Sequence, residues 1–136
     1  MNVYPKGRYV TIVFSLLHSR STGHIHITSA NDIYALPELD DGLLSDPLDV
    51  PPQRWAYKRG REIQRRMPAY RGEWAPSHPV FLEGSKAFSG LYPQHGGANL
   101  KDYEYSAEDD AVIDDRIRRE SVSMCHPMST LLNVLG

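Results

Sequence analysis

A single cysteine, Cys125, stands in the 136 residues, so no disulfide can close within the chain and a reducing compartment fits. No apolar run approaches the roughly 20 residues of a membrane-spanning helix. Excess charge of either sign is also missing. The chain carries 15 Lys and Arg against 17 Asp and Glu, which argues against wholesale nucleic-acid binding. There is no internal repeat and no low-complexity tract. Hydrophobic residues make up 40%, a little poor for a self-sufficient core, and ten prolines imply much irregular backbone. The length fits one domain.

What is present begins with "RYVTIVFSLLHS", which follows Lys6 and Arg8. A basic head before a short apolar stretch resembles a signal peptide, but no small-x-small cleavage site follows cleanly. Tyr9 to Phe14 are strong strand formers, so residues 9–17 read as a buried strand. "SRSTG" supplies a turn, and "HIHITS" alternates with the period of a half-buried antiparallel strand. These two segments are expected to form a hairpin or neighbouring strands. Residues 31–52, dense in Asp and Pro, read as an irregular surface connection.

A helix follows, with Asp49 placed to cap it, Pro51 and Pro52 in its first turn and Pro68 barring continuation beyond Met67. Ala56, Gly60, Ile63 and Met67 form a narrow apolar stripe, and Arg54, Lys58, Arg59, Arg61, Arg65 and Arg66 cover the rest as a solvated face. Residues 69–105 carry neither period and are too long for a plain connection, so they should lie against another element. The last helix has a Ser106–Asp109 start signal and acids in its first turn. Arg116, Arg118 and Arg119 load its last turn, with Asp114–Arg118 and Asp115–Arg119 at i,i+4 and Val112, Ile113 and Ile117 on the buried side.

Few residues invite chemistry. His24 and His26 share a strand face near His18, but no Cys or carboxylate recurs at ligand spacing, so no metal site is expected. The basic helix lacks interleaved aromatics, and no nucleic-acid or membrane partner is expected. Cys125 and His126 are sequence neighbours whose side chains point apart, which leaves Cys125 as a small hydrophobe rather than a nucleophile. His126 follows the last helix in the stretch "MCHPMST". A neutral imidazole there could accept a proton from an alcohol, work that contributes about 10²–10⁴-fold to a rate.

Three ordered blocks carry a resemblance: "GHIHITSANDIYALPELDDGLLSDPLDV", "WAYKRGREIQRRMPAYRGEWAPSHPVF" and "YSAEDDAVIDDRIRRESVSMCHPMST". Together they resemble the C-terminal substrate domain of glucose-methanol-choline (GMC) oxidoreductases, in the fungal alcohol (methanol) oxidase branch. The likeness covers about residues 9–130, with a shorter stretch than usual between Phe81 and Tyr105. It implies an α+β fold, here a partial antiparallel sheet with helices forming a single partial domain over 1–136. It also implies a FAD enzyme that oxidises primary alcohols to aldehydes, hydride passing to the flavin while a histidine serves as base. His126 matches that histidine and Thr130 the threonine of the family's H-x-x-G-T motif.

The departures are specific. Ser129 stands where the motif has glycine, and Cys125 where the methanol-oxidase branch has tryptophan. No G-x-G-x-x-G of a Rossmann-like FAD-binding unit occurs, so no cofactor-binding residue is assigned. The family's second catalytic residue lies downstream of the motif. The chain is therefore expected to be a fragment, truncated or mis-spliced, and inactive alone unless a FAD domain or further copies supply the rest. A non-catalytic remnant, or a small binding protein using the basic helix, is the alternative. An intracellular location, cytoplasmic or peroxisomal, fits better than secretion.

Overall fold

The computed structural model describes residues 6–90 and 96–123. Its elements are β1 (His24–His26), β2 (Glu38–Asp40), α1 (Val50–Arg66) and α2 (Ala107–Glu120), with single 3₁₀ turns at Pro47–Asp49 and Ala75–Ser77. The fold is α+β: a two-stranded antiparallel sheet beside two packed helices. No described helix is long and apolar enough to cross a membrane.

Helix α2 forms as its sequence dictates. The Ser106 side chain accepts from the Asp109 amide, and the Asp109 carboxylate accepts in return from the Ser106 amide. This capping box satisfies two of the amide groups that a helix start leaves open. Ile113 and Ile117 are buried from its inner face, and Val112 packs against the same core. Arg119 pairs with Asp115 as its spacing predicts. Asp114 instead reaches across to Arg54 of α1 at 3.2 Å.

Helix α1 ends at the expected place, with Met67 as its C-cap just before Pro68. Its packing face departs from the apolar-stripe expectation. Gly60 is buried with Ile12 close by, but Ile63 is 56% exposed. Val50, Arg61, Glu62 and Arg65 are buried instead. The solvated basic face expected from the sequence is thus turned partly inward, because residues 69–90 and 96–105 bring acids and aromatic rings to that side. The core joins Val50 to Phe81, Ala87, Ile113 and Ile117.

The sheet also differs. β1 pairs with β2, His24 facing Asp40 and His26 facing Glu38, and not with residues 9–17. Residues 9–17 are in no described strand, and Val10, Val13 and Leu17 are 66%, 68% and 69% exposed. An apolar run on this pattern is buried only when strands or helices cover both faces. Here α1 meets the run through Ile12 at Gly60 and Gln64 on the Val10 carbonyl, and Trp74 packs edge-on against Tyr9. The 31–52 connection is irregular as expected, apart from β2 and the 3₁₀ turn.

Candidate functional site

Arg61 sits at the centre of the described residues, 2% exposed. Its Nε and Nη2 donate to the two Glu73 carboxylate oxygens at 2.8 Å each. Nη1 donates to the Tyr105 hydroxyl and Nη2 to the Ala87 carbonyl, both at 2.9 Å. The guanidinium also lies over Tyr103 at 4.3 Å and Phe81 at 4.8 Å, where ring faces favour a cation. Burial raises the Glu73 pKa, but the Arg61 hydrogen bonds and charge outweigh it and hold the carboxyl below its usual range. Burial pushes the Tyr105 phenol up to about 12. This cluster keeps its charges matched and ties residues 73, 87 and 105 to α1.

Beside it runs a groove of about 860 Å³, bounded by residues 7–14, the inner face of α1, residues 69–79 and α2. Tyr57 Oη lies 2.9 Å from His78 Nδ1. Arg116 of α2 fixes the same residue from behind, its Nη1 donating to the His78 carbonyl at 2.8 Å. Burial lowers the His78 pKa; Glu73 opposes this, while Arg61 and Arg116 add to it, so the imidazole is neutral at pH 7. Burial likewise drives the Tyr57 phenol far above its ordinary value. A neutral imidazole held by a phenol can take part in hydrogen bonding or proton transfer. Neither residue stands out from the sequence alone; the signal was only their place within the quoted second block.

The residues expected to carry chemistry fall elsewhere. His126, with Cys125, Ser129 and Thr130, lies outside the described residues. His24 and His26 lie on an exposed strand with their rings 4.8 Å apart. No group of three or more metal-ligating side chains occurs among the described residues. The six α1 cations are all ion-paired. Arg54 and Lys58 meet Asp110, Arg59 meets Asp102, Arg61 meets Glu73, and Arg65 and Arg66 meet Glu62.

Neither long helix offers a cradle for a diphosphate. Such a cradle needs free amides and a positive end. Helix α1 opens on Pro51 and Pro52, which carry no N–H, just after Asp46 and Asp49. The start of α2 is filled by its own capping box and by Glu108, Asp109 and Asp110. Neither helix start therefore fits the diphosphate of FAD.

Residues 19–132 match the family model described as GMC oxidoreductase. The chain belongs to that family. Among similar proteins, alcohol oxidase 1 of Komagataella phaffii is 32% identical over 166 residues, covering 93% of this chain and 25% of the relative. Alcohol oxidase of Pichia angusta is 31% identical, covering 93% of this chain and 24% of its own length. Alcohol oxidase of Candida boidinii is 29% identical with coverage of 93% and 25%. The chain thus spans about a quarter of the length of these curated relatives. The matched length, 166 residues, exceeds the 136 of this chain, so the relatives carry extra residues within the matched region.

Proposed function

We propose that this chain is the substrate-side region of a FAD-dependent alcohol oxidoreductase that converts primary alcohols to aldehydes. His126 takes the hydroxyl proton as general base. The observation that carries this reading is the family match over residues 19–132, which takes in the histidine position near its far end. FAD, when bound, supplies the redox chemistry. Because neither helix start fits its diphosphate, the group would be held by a FAD domain beyond these helices, and residues 1–136 act as one partial domain. The chain alone has no turnover on this reading, and its location is intracellular.

A second reading, a folded remnant without catalysis, is favoured by one feature: Ser129 occupies the glycine position of the resembled motif. A glycine so placed permits positive φ or close approach that a side chain obstructs. The small-binding-protein reading loses its support, because every cation of α1 already has an acidic partner.

A chimera tests the proposal. The matched region of the Komagataella phaffii alcohol oxidase is replaced by this chain, and flavin retention, aldehyde and peroxide are followed with a primary alcohol. Catalysis that falls about 10²–10⁴-fold in the His126→Ala chimera supports the base assignment. A chimera that retains flavin yet turns over equally well without His126 overturns it. One that retains flavin but turns over only after Ser129→Gly supports the remnant reading.

A further inference from the structure

The groove beside Arg61 has the size of a small-molecule site, which typically spans about 300–1,000 Å³. Its walls are apolar along Ile12 and Phe14. Two cations on its lining, Arg8 and Arg71, have no acidic partner among the described residues, whereas its Arg61 and Arg116 are matched by Glu73 and Glu120. The lining therefore carries uncompensated positive charge. Tyr70, another lining residue, is 8% exposed, and its hydroxyl has no hydrogen-bond partner.

His78 is fixed at the groove by the Tyr57 hydroxyl, 2.9 Å from its Nδ1, and by Arg116 on its carbonyl. His78 lines the groove with Arg8 and Arg71, so uncompensated cations and an apolar wall coincide in one cavity.

We infer that this groove binds an apolar carboxylate, its tail along Ile12 and Phe14 and its anionic head drawn to the charge of Arg8 and Arg71. The inference goes beyond the alcohol reading and needs no flavin. Charge complementarity selects an anion over a neutral ligand of the same shape.

The full chain is titrated calorimetrically with 4-phenylbutyrate and with 4-phenylbutanol at low ionic strength. The carboxylate is expected to bind at least ten-fold more tightly than the alcohol. Arg8→Gln, at an exposed residue whose loss leaves the fold intact, should weaken the carboxylate at least five-fold. Arg118→Gln removes the same charge outside the groove and should leave affinity within two-fold. The His78 ring resonances should shift on titration. Equal affinities for acid and alcohol, equal effects of the two arginine variants, or no binding by the folded chain would each overturn the inference.

Discussion

Arg61 and Glu73 form a two-point ion pair, both bonds at 2.8 Å, with side chains 1% and 5% exposed. A pair this buried contributes little over an apolar replacement, but either half left alone is a buried, uncompensated charge. Glu73→Gln should therefore cost about 3–5 kcal/mol in urea unfolding. Arg61→Met with Glu73→Leu should cost clearly less than the sum of the single changes. Additive losses in that double-mutant cycle would show that the two residues do not act as a unit.

Asp49 makes an acid-sensitive joint. Its carboxylate accepts from the Arg20 amide, the Ser21 amide and the Ser21 hydroxyl, pinning the turn after residues 9–17 to the start of α1. Burial raises its pKa, but these hydrogen bonds outweigh that and hold it below its ordinary 3.8. The folded value lies below the unfolded one, so the stabilisation is complete above about pH 4 and is lost as pH falls through the folded value. Asp49→Asn should cost about 1.5–3 kcal/mol at pH 7. It should also flatten the fall in stability below pH 4, as read by urea midpoints across pH. An unchanged acid limb would remove Asp49 from that role.

The sequence made the local features legible and hid the distant ones. Ser106 and Asp109 are three residues apart, so their mutual cap follows from spacing alone, and Pro68 ends α1 by its own geometry. The alternation of "HIHITS" marks β1, but its partner "ELD" is three residues long and has no strand pattern. Burial of Arg61 was invisible for a physical reason. Its acceptors lie 12, 26 and 44 residues away, and they meet only where residues 73, 87 and 105 come together on α1. The Tyr57–His78 contact, 21 residues apart, was hidden in the same way. The histidine singled out from the sequence, His126, lies outside the described residues.

Two glycines close the ribbon onto its own turn. A side chain at Gly42 would place its Cβ 2.1 Å from the Thr22 carbonyl oxygen at a φ of +58°, and at Gly23 2.0 Å from the Asp40 carbonyl oxygen. Backbone cannot yield as a flexible side chain would, so either substitution must part the two segments. Gly42→Ala and Gly23→Ala should each break the His24–Asp40 end of the pairing. The cost is of the order of 1–3 kcal/mol, as for a residue forced into a sparsely populated conformation. Faster amide exchange at Ile25 and Leu39 reports it. Native protection in both variants would mean the close approach is not needed.

Residues 9–17 carry the most consequential departure from expectation. Tyr9, Val10, Val13 and Leu17 form an exposed apolar run of strand-forming residues. A charge on such a run opposes edge-to-edge association without touching the core. Val13 is 68% exposed, so Val13→Lys should change folding stability by no more than about 0.5 kcal/mol. The purified chain should self-associate with rising concentration, and Val13→Lys should shift it toward monomer in analytical ultracentrifugation. Ile12→Lys, at the half-buried position facing Gly60, should lower stability as well as association. If Val13→Lys leaves association unchanged while Ile27→Lys, on the exposed segment after β1, abolishes it, the contact runs through the ribbon and not through residues 9–17.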